Sequence, residues 1–333
     1  VLAVLAGTAL WALVPVALHV SSERAAAGDG HKTEVRVLGF ANAYGAPFAV
    51  LWGLALAPVW LAAQPSAQIS LALATAALLA HLELVDAARD ARALHAGFAA
   101  DPAGALARLQ QGLPTMGPAQ GQGAAVVTLD EVVPIALLAQ LVFFTSGHQA
   151  TLTSLQWKAA FVLTPTVSYP ASPLLVILNT FGPTALLAFG APLLGIWNVA
   201  PLAVGPSDTS STPLPPARKG TQPRSPAQGA QAASPKSQAR VAVLAGVRAA
   251  LGTSQYFGAL LLGSALSAAW LRRHLMVWKV FAPRYMLGAV ELLCVDVAVL
   301  VGLWLGVGRI VGRITRMFAL PAPSPGGGAA AGR

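Results

Sequence analysis

An all-α polytopic transmembrane helical bundle of about seven spans is the fold class this sequence predicts, and three observations predict it. Hydrophobic residues make up 56% and charged residues 10% of the 333 positions, where a soluble domain carries about 25% charged residues. The mean hydropathy is +0.65. Uncharged stretches long enough to cross a hydrocarbon core of about 30 Å, roughly 20 residues at helical rise, recur at about 1–20, 38–62, 68–85, 129–147, 173–200, 241–271 and 286–308.

The first stretch runs from Val1 to Val20, before the first charge at Glu23. It lacks an initiator Met and a basic flank, so it reads as a span in a fragment of a longer chain and not as a signal peptide. The second and third are separated by Gln64-Pro65-Ser66, a helix-terminating turn that predicts an antiparallel hairpin with its helices side by side. Residues 86–127 read as a polar loop with a charged start that suits a short surface helix. Thr128 and Glu131 stand in capping-box spacing at the start of the fourth span, with Pro134 tolerated early in the helix.

After that span, Trp157 beside Lys158 suits a segment at headgroup level. Residues 1–204 therefore form the first block of membrane helices. Residues 205–240 are rich in Pro, Ser, Gln and Ala and predict a disordered linker. Two C-terminal transmembrane helices occupy 241–310, joined by a basic interfacial loop at 272–285, and 311–333 predicts a disordered tail. Fifteen Lys and Arg fall on the linker side of a seven-span chain and five on the other, which places the linker and C-terminus in the cytosol.

Charge and cysteine use exclude several function classes. The net charge of +9 is distributed beside apolar spans, which fits membrane headgroups and not nucleic acid. Cys294 is the single cysteine, so neither a disulfide framework nor a cysteine-based metal site can form. No cluster of Asp and His has metal spacing, so no catalytic and no metal residue is assigned in this sequence.

The candidate contacts for substrate or lipid are His148, Gln149, Trp157, Asn179, Arg272, Arg273, His274 and Lys279. An imidazole beside Gln149 can hydrogen-bond a glycolipid phosphate or hydroxyl, or the pair can cap the fourth helix and tie the following loop. Asn179 lies four residues before Pro183, whose ring disrupts the helical bond to that carbonyl. The resulting kink can line a cavity or be satisfied by neighbouring threonines. The cluster Arg272, Arg273, His274, Lys279 and Arg284 suits the headgroup layer, as a contact for anionic lipid or as a simple anchor. Glu291 and Asp296 are acids within the last span and are expected to face helices, not lipid. At five residues apart they do not share a helix face. His81 and Glu83 are expected to be solvated at the interface.

Three segments also carry a family resemblance. The run Phe143-Phe144-Thr145-Ser146-Gly147-His148-Gln149-Ala150, followed by Gln156-Trp157-Lys158-Ala159-Ala160-Phe161, is similar to GPI ethanolamine phosphate transferases of the type 2 and type 3 classes. The segment from Leu271 to Arg284 resembles the type 3 class almost residue for residue. A looser match joins Leu178-Asn179-Thr180-Phe181 to Gly190-Ala191-Pro192-Leu193-Leu194. The resemblance covers roughly 135–310.

It implies transfer of phosphoethanolamine from phosphatidylethanolamine to a mannose of the GPI glycolipid, in the endoplasmic reticulum membrane. It implies a luminal catalytic domain outside this fragment, holding a divalent metal, zinc, and a nucleophilic threonine. It also implies a small hydrophobic stabilising subunit, PIG-F. The family carries Glu where this chain has Gly288, and Glu291, one turn on, stands as the substitute. A multi-span lipid or solute transporter, or a scramblase, is the alternative that kinked helices and buried acids would also fit.

Overall fold

A computed structural model of the chain describes residues 42–102, 106, 126–162, 165–199, 235–274 and 277–318. Among these residues the structure is helical and has no strand. Its α-helices are α1 (Gly45–Ala62), α2 (Pro65–Ala100), α3 (Leu129–Thr145), α4 (Ala171–Gly190), the single turn α5 (Leu193–Ile196), α6 (Pro235–Trp270), α7 (Ala282–Val301) and α8 (Gly312–Phe318). Two 3₁₀ turns, Leu152–Ser154 and Trp157–Phe161, lie between α3 and α4. Wider π-helical segments, Val277–Phe281 and Gly302–Val311, lead into α7 and join it to α8.

Four helical stretches are long and apolar enough to cross a membrane: Gly45–Ala62, Pro65–Ala100, Ala171–Ile196 and Lys279–Arg316. The expected count of about seven is thus not reached among the described residues. The expected first span at 1–20 lies outside them. α3 has 17 residues, about 26 Å at helical rise. α6 has 36, but polar Thr253, Ser254 and Gln255 interrupt its apolar run.

Lipid-facing surfaces explain why these helices are apolar on more than one side. On α2, Leu71, Leu78 and Leu82 are buried, whereas Ile69, Leu73 and Leu84 are each about two-thirds exposed. A helix apolar around its whole girth is a membrane or deep-core helix. Among the described residues one of these four stretches is enclosed by the others: 67% of the apolar window in Ala171–Ile196 is buried, against 22–33% in the other three. α4 is therefore the axis of the bundle, packed against α1, α3, α7 and the second 3₁₀ turn.

That central position changes the expected hairpin. α1 and α2 are joined by a short turn, held where Gln68 Nε2 donates to the Trp60 carbonyl at 3.1 Å. They do not pack along their lengths; α1 packs on α4 and α2 on α3. The reason is visible at Gly190, at the end of α4. A Cβ on Gly190 would stand 2.9 Å from Trp52 of α1 and 3.2 Å from Leu78 of α2. Trp52 Nε1 also donates to the Leu186 carbonyl at 2.8 Å. The glycine lets α4 wedge between the two helices, and Phe48 meets Phe189 edge-on with ring centroids 5.4 Å apart.

Three element boundaries extend beyond the sequence expectation. α2 continues to Ala100, so the polar connection expected at 86–127 opens with four helical turns. α6 begins at Pro235, inside the expected linker, of which 205–234 lies outside the described residues. Helix also runs on to Phe318, into the expected tail, whose remainder from 319 lies outside them.

Candidate functional site

The turn after α3 brings two of the sequence candidates together. Gly147 adopts φ +88°, a conformation glycine enters without the Cβ penalty, and so ends the helix. Ser146 Oγ donates back to the Val142 carbonyl at 2.7 Å. His148 then folds inward, 2% exposed, with its ring 5.5 Å from that of Phe143. Its Nδ1 stands 3.2 Å from Ser146 Oγ, and its Nε2 stands 3.5 Å from Asn179 Nδ2 on α4. Asn179 Nδ2 also donates to Gln156 Oε1 at 3.1 Å.

With the serine hydroxyl already donating to backbone, the consistent arrangement has the proton on Nδ1 and leaves Nε2 as acceptor. Burial lowers the pKa of His148, which favours the neutral ring. This is the arrangement of an internal tie between the loop and the central helix. Gln156, whose pattern was read only as part of a family-like block, is the third member of the tie. Proline does not break α4, which remains one helix through Pro183.

The remaining candidates lie on the surface. Gln149 is exposed, and its backbone amide is fixed by Ser154 Oγ at 3.1 Å. Trp157 is 65% exposed. Arg272, Arg273, His274 and Lys279 are exposed along the connection from α6 to α7. The side chains of Met276 and Trp278 lie outside the description.

Between α3, α4, α6 and α7 lies a cavity of about 270 Å³. Phe143, Phe144, Tyr256 and Phe257 contribute to its walls, and Arg284, Gly288 and Glu291 line it from α7. Gln140 Nε2 donates to Glu291 Oε1 at 3.1 Å, so Glu291 faces α3 and the bundle. Ala150 and Arg284 line the same cavity. The turn after α3 and the entry to α7, the two most family-like segments, therefore meet at one end of the molecule.

Phe181 borders this cavity and also an open apolar groove of about 660 Å³ between α4 and α7. Asp296 lines neither. Its Oδ1 is buried without a hydrogen-bond partner, as is the hydroxyl of Thr180 on α4.

At the opposite end the structure shows a network that spacing did not reveal. Glu131, 3% exposed, receives Arg89 Nε at 3.2 Å and Arg89 Nη2 at 2.5 Å. Arg92 Nη2 stands 3.4 Å from the same carboxylate. Glu131 also reaches the Thr128 amide at 3.4 Å, the capping contact expected of it. Arg89 Nη1 donates to the Leu194 carbonyl at 2.7 Å, fastening α2 to α5. His81, expected to be solvated, is half-buried with Nε2 2.8 Å from the Glu131 carbonyl, whereas Glu83 is exposed as expected and accepts from Trp197 Nε1 at 3.1 Å. Asn198, at φ 52°, donates to Asp86 Oδ2 at 2.6 Å.

Among the described residues no group of three or more His, Cys, Asp or Glu is placed to hold a metal ion. No family model matches the sequence, and no solved structure matches it. Curated relatives do match. The chain is 28% identical over 309 residues to GPI ethanolamine phosphate transferase 3 of Eremothecium gossypii, covering 92% of this chain and 24% of that protein. It is 36% identical over 197 residues to the mouse protein named GPI ethanolamine phosphate transferase 3, catalytic subunit, covering 56% and 18%. The human protein of the same name is 32% identical over 215 residues, covering 63% and 19%. The chain therefore spans about a quarter or less of the length of the curated relatives it matches.

Proposed function

We propose that this chain is the membrane module of an enzyme that transfers phosphoethanolamine from phosphatidylethanolamine to a mannose of the GPI precursor, in the endoplasmic reticulum membrane. The observation that carries the reading is similarity to relatives that share one name, extending over 92% of the chain in the fungal protein. A helical bundle with four stretches able to cross a membrane is consistent with it. The chemistry belongs to parts of the longer protein that this sequence does not cover, where a divalent metal, zinc, would activate the nucleophile. In this proposal the bundle has about seven spans. It anchors the catalytic domain, presents the lipid-linked substrate, and binds a small hydrophobic partner subunit through its helices.

The end holding the His148 turn and the exposed cations Arg272, Arg273 and Lys279 faces the lumen in this reading. Those cations and the exposed Gln149 and Trp157 meet lipid headgroups, whereas His148 and Asn179 hold the loop from within.

A chimera tests the proposal. The matching region of the Saccharomyces cerevisiae relative, 26% identical over 309 residues, is replaced by this chain in cells lacking the native protein. The expected result is restored growth and restored phosphoethanolamine on the GPI precursor. A chimera that reaches the membrane at normal abundance but leaves the precursor unmodified would count against the reading.

A further inference from the structure

We infer that the cavity between α3, α4, α6 and α7 is a binding site for a phosphoethanolamine headgroup, with Glu291 receiving the ammonium and Arg284 the phosphate. The inference rests on the proposed function for the identity of the ligand; the cavity's own chemistry calls for a zwitterion.

A carboxylate within a membrane-spanning helix is retained at a cost and marks a functional position unless fully partnered. Glu291 has neutral partners, Gln140 at 3.1 Å and the Thr184 hydroxyl of α4, which orient the carboxyl group and bring no opposite charge to it. Arg284 lines the same cavity seven residues earlier. Seven residues are two turns, so the two side chains share a face of α7 about 10 Å apart along its axis. Among the described residues they form no salt bridge with each other. An acid and a base thus stand at separate places in one cavity, and a ligand that brings an ammonium to the first and a phosphate to the second would complete both.

The walls supply what an ammonium group adds to a carboxylate. Phe143, Phe144, Tyr256 and Phe257 present aromatic groups, whose faces attract cations. Gly288 lies between the charged residues on the same face. A Cβ there would stand 3.5 Å from Leu261 Cδ1, so a longer side chain would obstruct the path between them. Beyond Phe181 the apolar groove of about 660 Å³, open to the outside of the bundle and lined by residues such as Leu174, Leu178, Leu293 and Val297, suits an acyl chain of the same lipid. Arg284, near the exposed basic connection, would take the phosphate by a charge-assisted contact.

The full chain in detergent micelles, supplied with equal amounts of phosphatidylethanolamine and phosphatidylcholine, provides the test, read by native mass spectrometry of the retained lipid. Phosphatidylethanolamine should be preferred by about tenfold or more, the scale of one charge-assisted hydrogen bond that a trimethylated ammonium cannot make. Glu291→Gln should abolish the preference, Glu291→Asp should keep it, and Gly288→Leu should reduce retention of both lipids. Competition by free phosphoethanolamine would show that the headgroup suffices. A preference that resists such competition would show that the acyl chain is also needed. Either result supports the site.

Equal retention of the two lipids by the unaltered chain would overturn the inference. So would a preference unchanged in Glu291→Gln, or retention of both lipids unchanged in Gly288→Leu. Failure of the enzyme reading is separable: lipid preference without phosphoethanolamine transfer by the full-length protein would remove the activity and keep the site. Transfer without the preference would remove the site and keep the activity.

Discussion

Glu131 shows how a single residue can serve a local and a distant role at once. It caps α3, and it also buries a carboxylate that Arg89 grips with two nitrogens. Removing one partner of such a pair leaves an uncompensated buried charge, at about 3–5 kcal/mol, whereas replacing both by apolar residues is often neutral. Arg89→Ala should therefore lower the unfolding stability of the micelle-bound chain by roughly 3 kcal/mol, because Arg92 compensates only in part. The double change Arg89→Met with Glu131→Leu should recover most of the loss. Equal stability of Arg89→Ala and the native chain in denaturant titrations would show that the contact is not formed.

His148 yields a pH-dependent expectation. Its folded pKa lies below the ordinary 6.5, so the unfolded chain takes up a proton that the folded chain resists. Stability should be intact above about pH 6.5 and fall as pH drops below it. His148→Gln should flatten that part of the thermal-midpoint curve.

At the scale of elements, α4 carries the architecture because three kinds of neighbour converge on it. Its end passes between α1 and α2, its middle stacks Phe181 against Phe143 with centroids 6.3 Å apart, and Asn179 joins the loop after α3. Gly190→Leu should disturb the bundle more than Gly53→Leu, since the first position would meet Trp52 and Leu78 and the second meets nothing within 4 Å. Overpacking of this kind costs about 1–3 kcal/mol. Similar thermal midpoints for the two variants would argue against the wedge.

The same elements show what the sequence could reveal. Apolar runs marked six of the helices, because length and hydropathy are local properties, and Thr128 with Glu131 marked the start of α3. Adjacency was not local: a short turn after Ala63 implied packed neighbours, yet a helix more than 100 residues away separates them. For the same reason Gln140 and Glu291, and Arg89 and Glu131, gave no sign of being partners. His148 and Asn179 were picked out as polar residues near membrane depth. Nothing in their spacing, 31 positions apart, distinguished a ligand contact from the buried tie between them.

At the scale of the molecule, the two most family-like segments converge on one end of the bundle although more than 100 residues separate them. Arg284 and Ala150 line one cavity there, and Glu291 lies two turns further in. The Glu131 network occupies the other end. Under the proposed function the first end faces the lumen, on the side where phosphoethanolamine would be transferred, and the second the cytosol, as the bias of fifteen basic residues against five in a seven-span chain would have it. Its most direct test is glycosylation mapping in the full-length protein. Acceptor sites are inserted separately in the turn at 149–151, in the connection at 271–274, and in the segment at 101–106 that follows α2. Glycans on the first two and none on the third are the predicted result. A glycan on the third, or on only one of the first two, would contradict the orientation and the single functional face built on it.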